Sequence, residues 1–394
     1  MPARRFGLLA VFPLVLAVTD SAENASLRRL VERGRHPAIR WGRFPDVQRD
    51  MAALYQRNGW MPIWLAERRA TREARALVDV LATAADRGLD PEDYDARQLA
   101  AFVATMDRRG SDQEQAIRFE VALTVAALRF TRALAQGRIS PRESRAPGVP
   151  PDRLDAGALV EALRRTPSPD SVLSALEPPW LPYRETKRAL GRYRRFAKDS
   201  AGRRAFFQAR LRQMELALER WRWLPRSEAG RVIYLSAPAG RLQLVEPGGA
   251  SVWLRAAPIG TRCRSLPAFS GEFWMLTLRP AGSPGATLRI TLPDGIELLG
   301  GRPAPGGCME LPDGELLAEL LLRDRSDWPA ERVRQAIAGN RQMFVRLARP
   351  VRVLYVYSTG FPDENGQLRF TADELGHDRR LDALLRRGYP YARQ

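Results

Sequence analysis

The stretch Arg302-Pro-Ala-Pro-Gly-Gly-Cys308-Met-Glu310-Leu-Pro-Asp-Gly places a thiol on a turn rich in glycine and proline. A β-rich run precedes it, and a short apolar helix is predicted after it, from Glu315 to Leu322, with Asp313 as its N-cap. Such a turn displays a cysteine with the backbone close by and little crowding from side chains. A helix start nearby would favour negative charge on the sulfur. The chemistry this suggests is nucleophilic attack by a thiolate. The same position also suits a small buried hydrophobe, or one half of a disulfide with Cys263, the second of two cysteines.

The elements that must position this turn change character along the chain. From about residue 25 to 225 the pattern is helical. Val47, Met51, Leu54 and Tyr55 share a helical face, and helices are predicted over Ala70–Ala85, Glu114–Ala135, Ala156–Arg165, Tyr183–Tyr193 and Ala201–Trp223. Gly59, Pro62, Gly88, Pro91 and Gly137 punctuate them. From Arg231 short runs rich in β-branched and aromatic residues take over: Arg231–Ala237, Arg241–Glu246, Ser251–Ile259, Gly271–Leu278, Thr287–Leu292, Phe344–Leu347 and Val351–Tyr357. A second short helix is expected over Glu331–Ala338, a hairpin turn at Asp363-Glu-Asn-Gly366, and a basic helix over Leu375–Arg387.

The formal net charge of the 394 residues is +18, nearly all of it arginine, since Lys187 and Lys198 are the only lysines. Such a surface favours acidic partners. No aromatic-interleaved basic stripe and no Gly-rich phosphate loop is present, so nucleic acid is not expected. Arg4 and Arg5, the apolar run Phe6–Val18 and the small residues after it form the layout of a secretory signal, expected over residues 1–22. The run is short for a membrane span, and at most peripheral membrane contact is expected. With only His36 and His377, and no Cys/His cluster, neither a metal site nor a cofactor is expected.

Several segments resemble the large, scaffold-containing L,D-transpeptidase family of bacterial cell-wall enzymes. Leu54-Tyr-Gln-Arg-Asn-Gly-Trp-Met-Pro-Ile-Trp64, Arg87-Gly-Leu-Asp-Pro-Glu-Asp-Tyr94 and Ala135-Gln-Gly-Arg-Ile-Ser-Pro141 are similar to segments of its helical scaffold. Glu219-Arg-Trp-Arg-Trp-Leu-Pro225 resembles the entry to its catalytic domain, and is the most specific of the set. Ile259-Gly-Thr through Pro267-Ala-Phe-Ser-Gly-Glu272, and Val353–Tyr357 followed by Gly366–Gly376, match in kind. The resemblance implies an α+β fold: an all-α scaffold domain over residues 23–225, then a mostly β, sandwich-type domain with short helices over 226–374, then a basic helical tail over 375–394.

It also implies a site. In the family a cysteine thiolate takes the acyl group of a peptidoglycan tetrapeptide stem and passes it to an amine. A neighbouring histidine acts as base, because a thiol of pKa about 8.5 is only slightly ionised near neutrality. Cys308 falls at the nucleophile position, and Gly307 at the turn whose backbone N–H groups would hold the oxyanion. The chain departs from the pattern around them. Gly306 stands where the motif histidine belongs, Glu310 where an arginine or polar residue belongs, and Leu299 where the upstream base histidine belongs. The family-like alignment puts Cys263 on the site side, which makes a Cys263–Cys308 bridge geometrically plausible. Pro280–Ala286 is too short for the family's capping insertion, and Phe196–Glu219 too short for a peptidoglycan-binding module.

A lost general base costs on the order of 10²–10⁴-fold in rate. A carboxylate two residues from the sulfur raises a thiol pKa, and Glu310 or Glu297 is poorly matched to a thiol as a base. The expectation is therefore a periplasmic protein of peptidoglycan metabolism, catalytically impaired or inactive, that binds peptidoglycan stem peptides or another envelope protein such as a transpeptidase. The alternative is an active cysteine enzyme with a non-histidine base.

Overall fold

The computed structural model describes residues 22–141, 154–199, 201–226, 230–258, 264–283, 285–301 and 308–389. The signal layout, Arg302, Gly306, Gly307 and Cys263 lie outside them. The helical part runs α1 (Ala22–Arg33), α2 (Gln48–Arg57), a small hairpin of β1 (Leu65–Ala66) and β2 (Arg69–Ala70), α3 (Arg72–Ala82), α4 (Ala96–Arg109), α5 (Gln113–Gln136), α6 (Ala156–Leu163), α7 (Pro169–Ser174), α8 (Leu181–Asp199) and α9 (Arg204–Trp221). The β part runs β3 (Arg231–Ser236), β4 (Arg241–Val245), β5 (Ser251–Arg255), β6 (Ala257–Pro258), β7 (Ala268–Leu278), β8 (Ala286–Leu292), β9 (Ile296–Gly301) and β10 (Met309–Leu311). It continues with α10 (Gly314–Leu322), α11 (Ala330–Ala338), β11 (Met343–Val356), β12 (Gly360–Pro362), β13 (Leu368–Phe370) and α12 (His377–Leu385).

The axis of the helical part is α5. Asp112 caps it by accepting the N–H of Gln115 at 2.8 Å, and nearly every side chain after its first turn is buried. Halfway along, the fully buried Glu120 holds the loop that follows α2. One carboxylate oxygen accepts the Tyr55 hydroxyl and the Ile63 N–H, each at 2.8 Å, and the other accepts the Trp64 N–H at 3.0 Å. Thr124, one turn on, accepts the Trp64 indole N–H at 3.0 Å. The segment from Tyr55 to Trp64 is thus a peg set into α5. Burial pushes Glu120 up to about 7, against the pull of these hydrogen bonds.

His36 is a structural counterpart on the other side of α5. Its Nδ1 accepts the N–H of Ala38 at 3.2 Å, so Nε2 carries the proton and donates to the Arg118 carbonyl at 2.9 Å. Burial lowers its pKa to about 4. The unfolded chain takes up this proton near pH 6.5, before the folded one does. The stability is therefore complete above pH 6.5 and is lost as pH falls toward 4, by about 3 kcal/mol at the limit. Asp95 and Glu120, raised by burial to about 6 and about 7, give the opposite slope. The gap in unfolding free energy between wild type and His36→Gln is therefore the quantity to follow. Urea melts at a series of pH values should show it shifting against wild type by about 3 kcal/mol between pH ~7.5 and ~4; a constant gap would refute the assignment.

The β part is built on one sheet, nine-stranded among the described residues, in the order β5-β4-β3-β11-β7-β8-β9-β10-β6. Two pairs are parallel, β11 with β3 and β10 with β9. The predicted strands Phe344–Leu347 and Val351–Tyr357 are a single strand, β11, and its register with β7 shifts between Arg346 and Val351, around Pro350. Proline offers no N–H to the ladder, so the strand bulges there and continues.

At its centre the sheet is apolar on both faces, as a buried parallel pair must be. Ile233, Leu235, Val353 and Tyr355 join the core under α10 and α11. The alternate residues Val232, Tyr234, Leu354 and Val356 join a second core with α8, α9 and α12. The last helices of the scaffold therefore form one wall of the β domain.

The motif Glu219–Trp223 at the end of α9 locks this junction, and all five of its residues are buried. Glu219 accepts the backbone N–H groups of Arg138 and, at 2.8 Å, of Ile139. Arg220 donates from Nη1 to Asp378 at 2.6 Å and to the Tyr357 carbonyl at 2.9 Å; the other oxygen of Asp378 accepts the Thr359 hydroxyl. Arg222 donates to the Arg87 carbonyl and to the Tyr183 hydroxyl, the latter at 3.2 Å. Gly88 must be glycine: its φ is 70°, and a Cβ there would come within 2.9 Å of Leu218. The tail closes on the scaffold. Leu381 and Leu385 enter the core with α9, Gly388 lies against the Trp41 ring, and Tyr389 sits under Arg129 and beside Tyr94.

Candidate functional site

Cys308 opens the segment that joins β9 to α10. Its N–H donates to the Glu297 carbonyl at 2.9 Å, which holds the turn against β9. Met309, Glu310 and Leu311 then pair in parallel with Leu298, Leu299 and Gly300, while Met309 and Glu310 also pair with Pro258 and Ala257 of β6 on the other side. Behind this edge two backbones meet. A Cβ on Gly314 would lie 2.4 Å from the Gly300 Cα, so both positions require glycine for α10 to start against β9.

The helix α10 starts at Gly314, within one residue of the expected Glu315, but β10 lies between it and the cysteine. Three extended residues span roughly 10 Å, beyond the first turn over which a helix dipole acts, so the expected help from the helix start is lost. Asp313 does not cap α10: no side-chain cap bond forms, and its carboxylate instead takes the Arg255 guanidinium at 2.7 Å and the Arg255 N–H at 2.9 Å. Of the states left open for Cys308, the structure has the disulfide. The only other cysteine in the chain is Cys263. Cys308 is 5 % exposed and belongs to the apolar core with Leu298, Met309 and Leu317.

The groups that could serve the sulfur are few. Leu299, at the upstream base position, is a buried aliphatic residue of β9. The Glu297 carboxylate lies 3.6 Å from the Arg289 guanidinium. Glu310 is half-buried on β10. His36 is committed to the scaffold. His377 is where sequence reasoning gave no lead: at the start of α12 it turns its Nε2 to the Arg264 carbonyl at 2.9 Å, packs edge-on against Tyr357, and is held neutral by burial. The tail thus returns a histidine to the segment next in sequence to Cys263, a placement that only the fold reveals. Gly307, the expected oxyanion turn, lies outside the described residues. Among the described residues no group of three or more histidine, cysteine or carboxylate side chains could hold a metal ion, and no helix is long and apolar enough to cross a membrane.

The arrangement is a closed one. The sulfur is oxidised and faces the core, and neither the Glu297 nor the Glu310 carboxylate can act on it as a base while the bridge stands, because a disulfide has no proton to give up. A family model described as a scaffold domain matches residues 49–190, which span α2 to the middle of α8. The helical half is thus of scaffold type, fitting a scaffold-containing family, and a large mostly β domain follows it. No curated protein matches the chain.

Proposed function

We propose that this is a periplasmic protein of peptidoglycan metabolism, related to L,D-transpeptidases, whose catalytic position has become structural. In this reading it binds peptidoglycan stem peptides, or a partner enzyme of the envelope, without transferring acyl groups. The observation that carries the reading is the state of Cys308: disulfide-bonded, almost fully buried, and with leucine at the position of the base. The scaffold-type helical half and the order of the resembling segments support the family.

Two measurements test it. Reduced, folded protein is incubated with a carbapenem, and separately with a disaccharide-tetrapeptide, and its intact mass is taken. The expected mass is unchanged. An adduct mapping to Cys308 would establish instead an active enzyme that is switched on by reduction. Isolated sacculi should retain wild type and Cys308→Ala equally; retention of neither would remove the peptidoglycan-binding part of the proposal.

A further inference from the structure

A wide cavity lies away from Cys308, on the scaffold. It is a groove of about 1000 Å³ between α8 and the α3 end, with Pro178 and Pro179 in its floor. One face of α8 lines it with Arg184, Lys187, Arg188, Arg194, Arg195 and Lys198, at the three- and four-residue spacing that stacks side chains along a helix. Like charges so spaced repel one another. Within the groove the acids are Glu177 and Asp86. Glu177 is spent on Arg87, Lys187 and Tyr183. Asp86 stands 3.9 Å from Arg194. Glu185, on the same helix, lies within the field of Arg184 and Arg188. Among the described residues the side chains of Arg184, Arg188, Arg195 and Lys198 form no hydrogen bond or ion pair.

Two more features define what would fit. Gly191 sits in the middle of this face, where a helix prefers almost any other residue. Nothing in the chain demands glycine there, since an added Cβ would find its nearest neighbour, Arg195, at 3.9 Å. At the far end of the same helical hairpin, Phe196 and Phe206 are each 54 % exposed, beside Arg195 and Lys198 and next to the Tyr193–Phe207 ring cluster. Exposed aromatic rings adjoining a row of cations are the pattern of a surface that lies on an anionic bilayer, rings at the acyl boundary and cations among the phosphates. A soluble anion would use the cations alone and leave the rings unexplained.

We infer that the α8 groove and the tip of the α8–α9 hairpin dock on an anionic phospholipid surface, with headgroup phosphates entering the groove beside Gly191. This stands independently of the reading of Cys308. The test is co-sedimentation of the full protein with vesicles of phosphatidylcholine alone, or with about 30 % phosphatidylglycerol, at roughly 50 and roughly 300 mM salt. Binding should depend on phosphatidylglycerol and fall with salt. It should drop by about tenfold or more in Arg188→Glu/Arg195→Glu and in Phe196→Ser/Phe206→Ser, all exposed positions whose variants should keep the wild-type melting temperature. Gly191→Met fills the groove without changing charge and should weaken binding too. Three results would overturn the inference: no dependence on phosphatidylglycerol; wild-type binding by the two double variants; or a thermal shift with glycerol 3-phosphate or duplex DNA, abolished by Arg188→Glu/Arg195→Glu, in a protein that ignores vesicles. Undiminished binding by Gly191→Met would overturn the role of the groove.

Discussion

Replacing Arg220 with alanine is expected to destabilise the protein by about 3–5 kcal/mol, the cost of breaking a buried ion pair on one side only. Arg220 is fully buried, and the Asp378 side chain it leaves behind is 9 % exposed, with the Thr359 hydroxyl to hold its carboxylate. The Tyr357 carbonyl loses its guanidinium donor as well. Because α9, β11 and α12 meet at this one side chain, the loss should also uncouple the two halves of the chain. Far-ultraviolet dichroism and tryptophan fluorescence should superimpose in wild-type urea melts and separate in the variant. The double variant Arg220→Met/Asp378→Leu removes both charges and should recover most of the loss. A single variant that loses less than about 1 kcal/mol would mean that the pair is not what joins the halves.

The second large effect belongs to Cys308. Cys308→Ala should cost about 2–5 kcal/mol, because it opens the bridge and removes a sulfur from the apolar core. A reductant should bring the wild type down to nearly the same stability, yet leave the variant unmoved. Thiol counting under denaturing conditions without reductant should find no free thiol in wild type and one in the variant. A variant as stable as wild type would mean that the bridge constrains nothing, and the case for a structural sulfur would fall with it.

How far the sequence could be read depends on whether a feature is local. The strands from Arg231 to Val245 and the helices over α5, α10 and α11 are written in local periodicity, and emerge close to their predicted bounds. The bulge at Pro350 is local in cause, but splits one strand into two for a reader who sees only the run of residues. Asp313 was in the right place for a cap. Arg255 outcompetes the helix for it, and that arginine comes from a strand across the sheet. The site follows the same division. Cys308 and the empty histidine positions are visible in order along the chain, whereas burial of the sulfur depends on β9 and α10, and the approach of His377 to Arg264 depends on how the tail returns. The motif Glu219–Trp223 was recognisable as an entry to the second domain; that it is a set of anchors for residues 87, 138, 357 and 378 is a property of the assembled molecule.

The clasp of Gly388 and Tyr389 on Trp41 and Tyr94 bears on the order of events when the chain is made. Helices α1 to α5 emerge early, but the ring face between Trp41, Tyr94 and Arg129 has no cover until a turn encoded hundreds of residues later arrives. Contacts that close so long a loop form slowly. The β domain, whose strands are mostly neighbours in sequence, can be finished first, and the first-made region is then sealed last.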